Sequence, residues 1–293
     1  MLAILVLAVA VRVLFPAGFI PKDDAETARV AYQMAQGEFD YETYAGPPVI
    51  PTRTGIVLPT AAAMAVAGSS EIAIAIYPLL SAVALMLLIY FFAARAYGHY
   101  AGAIAAAIWV FMPIDIELAT TLWPEVPASA FAFLALYLIY RARTEDDISL
   151  RRQVMLGGFA GLAFGASWLC KASVIYFVPF CALLLATDLF RFRERFMPLW
   201  GGVAAGSLAV LLGEMVAYQL INDDFLYRFH SIERNYALYP EFFFVEGARF
   251  GYPEGMPFWK AIIKRVVFDG PQLIFMQPQF LYLPLFGLLA SAY

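Results

Sequence analysis

The chain is poor in charge, in histidine and in cysteine. Only 14% of its 293 residues are Asp, Glu, Lys or Arg, against roughly 25% in an ordinary soluble domain. Beside 62% hydrophobic residues and repeated apolar runs of about 20 residues, that deficit argues against a soluble domain and for an all-α polytopic membrane protein. No basic stripe is present and the net charge is −4, so nucleic acid is not an expected partner. The two cysteines, Cys170 and Cys181, lie in apolar sequence and fit small buried hydrophobes better than a disulfide or a metal site. With His99 and His230 as the only histidines, a histidine–cysteine metal site is not supported. No internal repeat and no low-complexity tract is visible.

What is present is a series of about eight apolar spans, at 2–20, 72–94, 100–118, 125–140, 154–169, 172–190, 198–217 and 271–293. The first lacks a basic leader and is interrupted by Arg12, so it reads as a retained span rather than a cleaved signal peptide. Gly55 to Gly68 is apolar but too short to span, which suggests a helix lying at the interface within a first outer loop, 21–71.

Arginines test the topology. With the N-terminus inside, Arg95, then Arg141, Arg143, Arg151 and Arg152, then Arg191, Arg193 and Arg195 all fall in inner loops. The short outer loops carry only Lys171, as the positive-inside bias requires. Making 55–68 a full span would reverse this parity and put arginine clusters outside. The same parity places Asp23, Asp24, Asp115, Glu117, Glu125 and the long aromatic segment 218–270 outside. The expected location is a prokaryotic plasma (inner) membrane, with a cytoplasmic N-terminus and an outward-facing active site.

Two adjacent aspartates directly after a span need a reason. Asp23 as N-cap with Glu26 three residues on would form a capping box, and Gly37 would close the helix. Ala28, Ala31, Met34 and Ala35 would give that helix a weak apolar face for the membrane. Capping accounts for one aspartate and leaves the other available as a general base. Glu125 follows Pro124 at the start of a span, where the helix dipole favours an acid. Yet a carboxylate at the hydrocarbon edge costs on the order of 2–3 kcal/mol unless satisfied, and such residues are usually functional. Asp115 and Glu117 read as a solvated rim.

Arg12 and Lys171 could simply snorkel. Alternatively they neutralise an anion at the outer leaflet, with Arg228, His230 and Arg234 as a similar cationic set suited to phosphate. The carboxylates on the outer side could also hold Mg²⁺ or Mn²⁺, though no spacing demands it. A transporter or flippase for an anionic lipid or solute would use the same cations without a base. The absence of a repeat, and charges gathered at the outer boundary, favour an enzyme.

The order of features is similar to that of a known family. An arginine in the first span precedes an acidic pair. Tyr32, Met34 and Gly37 follow as Tyr-x-Met-x-x-Gly, then Gly68-Ser69-Ser70-Glu71, then Tyr90 to Gly98 as Tyr-x-x-x-x-Arg-x-x-Gly. Pro124-Glu125 and a Gly-x-x-x-Gly pattern ahead of Lys171 complete the series. Over most of residues 1–200 this resembles the GT-C membrane glycosyltransferases, in particular the family 39 protein O-mannosyltransferases and the lipid A aminoarabinose transferases. The resemblance implies one GT-C-like transmembrane domain over 1–293. It implies a polyprenyl-phosphate-linked hexose or pentose as donor and a lipid, glycan or protein acceptor on the outer face, amid membrane lipids. It also implies an acceptor-side role for Asp23 with Asp24 beside it, and a phosphate-side role for Lys171. Such enzymes usually have eleven or more spans, so a missing C-terminal part or an unusually short form is expected.

Overall fold

The computed structural model describes residues 2–17, 23–191 and 195–238. Among these residues all regular structure is helical: α1 (Leu2–Leu14), α2 (Asp23–Gln36), α3 (Thr54–Ala67), α4 (Glu71–Tyr97), α5 (His99–Val110), α6 (Pro113–Leu118), α7 (Glu125–Thr144), α8 (Leu150–Cys170), a 3₁₀ turn (Ala172–Phe177), α9 (Val178–Arg191), α10 (Met197–Asn222) and α11 (Tyr227–Leu238). Of the described residues, those up to 111 and those from 115 to 228 form one unit; 112–114 and 229–238 belong to another.

Among the described residues, five helical stretches are long and apolar enough to cross a membrane: Glu71–Tyr97, Glu125–Thr144, Leu150–Cys170, Ala172–Arg191 and Met197–Asn222. They coincide with five expected spans, and the chain is an integral membrane protein. Two others are shorter than expected. The first helix covers Leu2–Leu14 only, and the run at 100–118 is broken into α5 and α6. Pro113 opens α6; proline has no N–H to continue a helix from behind but is well placed in a first turn. The run at 271–293 lies outside the described residues, as does most of 218–270; the first five residues of that segment continue α10.

The tightest helix pair is α8 with α10, and its cause is glycine. A Cβ on Gly161 would lie 2.2 Å from the Val203 carbonyl oxygen, and one on Gly206 would lie 2.3 Å from that of Gly158. Gly157 and Gly202 are equally constrained, by the carbonyls of Leu199 and Val154. Small residues four apart on both helices let the backbones touch, which is how helices associate where lipid removes the hydrophobic drive. Helix α7 packs on the other side of α8, and Ser167 Oγ donates to the Ala128 carbonyl at 2.7 Å. At the arginine-bearing end, buried Asp188 of α9 accepts from Arg143 and from Trp200 Nε1, each at 2.8 Å. An acid within a span needs such partners.

Helix α2 does not offer its apolar face to lipid. Ala28, Val30 and Ala31 are buried against Ile56, Val57, Ala61 and Met64 of α3, with Ile50 and Leu122. The segment between α1 and α4 thus has its own core, because the apolar face of α2 and the apolar helix α3 bury more by facing each other than by lying apart. Ser70 caps α4 by accepting from the Ala73 amide at 3.2 Å.

Replacing Gly161 by alanine should force α8 and α10 apart and cost about 1–3 kcal/mol, the usual scale of overpacking. Gly158→Ala, where an added Cβ meets nothing within 4 Å, should leave the thermal unfolding temperature in detergent unchanged. Equal behaviour of the two variants would show that glycine contact does not set this interface.

Candidate active site

The charged side chains singled out in the sequence divide into pairs. Asp23 opens α2 and receives Arg53 Nη1 on Oδ2 at 3.1 Å. Its side chain remains 52% exposed. The capping box is not formed: Glu26 turns to Arg29, which donates at 3.1 Å from Nε and 2.5 Å from Nη2, because a guanidinium one turn away outcompetes a single backbone amide. Asp24 is buried and lines a cavity of about 420 Å³ with Arg12, Pro16, Glu71, Thr120 and Thr121.

Arg12 does not snorkel. It is fully buried, bound through Nε to Asp115 Oδ2 at 3.1 Å and through Nη1 to the Ala8 carbonyl at 3.0 Å, with Nη2 also on Asp115. Asp115 therefore belongs to the interior and not to a solvated rim; Glu117 is exposed as expected. A buried arginine is tolerable only with a carboxylate against it, and removing one partner of such a pair typically costs about 3–5 kcal/mol. Arg12 contributes a neutralised ion pair to the cavity wall rather than an open cation.

Lys171 and Glu125 meet as an ion pair. Glu125 is the first residue of α7, and Lys171 caps the end of α8 in an extended conformation. Both are about one-third exposed. Glu125 Oε2 is buried with no hydrogen-bond partner among the described residues, so this carboxylate retains an unused acceptor.

Arg228 is buried, and its guanidinium is occupied. Nε donates to Glu214 at 2.8 Å, Nη1 to the Trp168 carbonyl at 3.1 Å, and Nη2 to the carbonyls of Leu169, at 3.3 Å, and Thr52. The guanidinium also lies 5.1 Å from the Trp168 ring centroid, whose Nε1 donates to Glu214 at 2.8 Å. A phosphate-binding role for Arg228 is displaced by these contacts. His230 and Arg234 lie on α11 in the second unit, where Arg234 Nε donates to the His230 carbonyl at 3.4 Å.

Among the described residues these side chains fall into separate contacts. Asp24 and Arg12 share a cavity, Glu125 and Lys171 pair with each other, and Asp23 takes Arg53. Reading the sequence alone missed Arg53, Glu214 and Asp188. The last two carried a signal, an acid inside an apolar run; Arg53 carried none. Glu214 and Tyr218 also line a larger, mostly apolar cavity of about 560 Å³ between α3 and α10. Among the described residues no three His, Cys, Asp or Glu side chains gather as a metal site requires.

An acid-rich helix α2 after the first apolar helix and a lysine at the end of α8 are the features on which the resemblance to the GT-C membrane glycosyltransferases rests. The family model described as dolichyl-phosphate-mannose-protein mannosyltransferase matches residues 57–214, and the chain belongs to that family, whose members are glycosyltransferases of the GT-C type. No curated protein and no solved structure matches this chain.

The Arg29 contact holds the Glu26 carboxyl below the usual glutamate range, with burial acting against it and the Tyr44 hydroxyl assisting. A lowered folded-state value means that the unfolded chain takes up the proton first. The stabilisation is present above the ordinary glutamate range and is lost as pH falls below about 4. Hydrogen exchange of α2 should therefore accelerate on acidification through that window in the wild type, and not in Glu26→Gln.

Proposed function

We propose that the protein transfers a sugar from a polyprenyl-phosphate donor to a hydroxyl or amine acceptor, at a site on the outer face of a prokaryotic plasma membrane, with its N-terminus cytoplasmic. Membership of the mannosyltransferase family makes mannose or another hexose the first donor sugar to test. The observation that carries the reading is the meeting of Glu125 and Lys171 at the ends of α7 and α8, on the side of the protein to which the arginine distribution also assigns Asp23 and Asp24.

The acceptor heteroatom attacks the anomeric carbon, and the bond from that carbon to the phosphate oxygen breaks. The electron pair leaves with the phosphate, and the acceptor proton passes to a carboxylate. Asp23 serves as this base, or orients the acceptor, with its carboxylate held by Arg53 and still open to solvent. Asp24 presents its charge to the cavity that Arg12, Glu71, Thr120 and Thr121 also line. Lys171 receives the phosphate, which departs as an anion and so needs stabilisation rather than protonation. Glu125 neutralises Lys171 before the donor arrives, and its carboxylate, released from Lys171, stabilises the positive charge that develops on the sugar.

The test is transfer from a polyprenyl-phosphate sugar by purified protein in lipid. Asp23→Asn should lower kcat on the order of 100-fold, as loss of a general base does. Lys171→Met should act mainly on donor KM. Unimpaired transfer by a folded Asp23→Asn protein would remove Asp23 from the mechanism.

A further inference from the structure

Arg228 stands at a junction that the proposed chemistry does not use. Its five N–H groups reach three separate parts of the chain. One is the loop ahead of α3, through the Thr52 carbonyl; the second is the last turn of α8, through the carbonyls of Trp168 and Leu169; the third is α10, through Glu214. Each part leads to something the reaction needs. Thr52 is followed directly by Arg53, which holds Asp23. Leu169 stands two residues before Lys171, whose own amide closes α8 on the Ser167 carbonyl at 2.9 Å. Glu214 supplies the counter-charge, with Trp168 Nε1 as its second donor.

We infer that Arg228 is a positioning residue: a single buried guanidinium that holds the acceptor-side loop carrying Arg53 and the phosphate-side end of α8 carrying Lys171 at a fixed separation. Three features of the chemistry support this. The planar fork of arginine presents donors in fixed directions, so it can bind several carbonyls and a carboxylate at once; lysine cannot. The last carbonyls of a helix have no partner within it, and a cation there satisfies them and suits the dipole. Close approach confirms that the two segments meet: a Cβ on Gly55, three residues after Thr52, would lie 2.6 Å from the Cys170 amide nitrogen. With this end of α8 against the start of α3, a small displacement of Arg228's partners would be passed to both Asp23 and Lys171. Misplacements near 1 Å can cost on the order of 100-fold in rate.

This inference rests on the roles proposed for Asp23 and Lys171, and the experiment separates the two. Arg228→Lys is compared with wild type by hydrogen exchange on the full chain in lipid nanodiscs and by transfer kinetics. Exchange should rise together in the segments 50–56 and 167–172 while α4 and α7 stay protected, and kcat should fall on the order of 10- to 100-fold. In an Asp23→Asn background, Arg228→Lys should lower kcat by clearly less than in the wild type while still raising donor KM, because the part of its effect that passes through Asp23 is already lost and the part that passes through Lys171 remains. Exchange that is unchanged in both segments, or that rises in only one, overturns the inference whatever the activity. A full loss of rate in the Asp23→Asn background overturns it too. If Arg228→Lys fails to fold, Glu214→Gln, which keeps an acceptor but removes the charge, should give the same paired rise in exchange, and its absence counts against the inference equally. By contrast, an active Asp23→Asn single variant would sink the proposed catalytic role of Asp23 and leave the exchange result standing.

Discussion

A charge taken out of water has to be met by another, and much of this protein's helical arrangement follows from how that requirement is met. Arg12 takes Asp115, Arg143 takes Asp188, and Arg228 takes Glu214. None of these pairs lies within one helix. Arg12 reaches from α1 to Asp115, Arg143 joins α7 to α9, and Arg228 reaches α10 and two further segments. Breaking such a pair leaves an uncompensated buried charge, a far larger penalty than the pair's own net worth. The pairs therefore act less as sources of stability than as conditions that few alternative packings can satisfy.

Between these fixed points the helices meet by shape. Where glycines face each other, as on α8 and α10, backbones come into contact and leave no room for side-chain adjustment. Where larger residues face each other, as in the core shared by α2 and α3, the segment between α1 and α4 becomes a folded layer. That layer carries Asp23 and Asp24, so the acids stand on a packed element and not on a loose loop. Rigid support of this kind is what a transfer site needs, because orientation and not bond chemistry supplies much of the rate when the leaving group departs as an anion.

Ionic partnership also separates two kinds of arginine and lysine. Arg12 and Arg228 are buried with their donors occupied, whereas Lys171 is one-third exposed and bound to one carboxylate that keeps a free oxygen. Only the latter arrangement can exchange its partner for an arriving phosphate without stripping a buried acid of its counter-ion.

Much of this was legible in the chain itself. Apolar runs of sufficient length located five spans, since an interior of hydrocarbon tolerates little else. The short stretch at 55–68 reads as a helix and forms one, α3, shorter than the five candidate spans, and the order of motifs identified the family. What the chain could not disclose was partnership. Asp115 in an outer loop looks the same as a rim residue until Arg12, 103 positions earlier, is found against it. Arg228 looks like a phosphate ligand until Thr52, Trp168, Leu169 and Glu214 occupy it, and Asp23 looks like a cap until Arg53 takes it. Hydropathy is a property of each residue and accumulates along the chain, so it can be read in one dimension. The pairing of charges depends on which segments the tertiary structure brings within a few ångströms, and sequence separation carries almost no information about that.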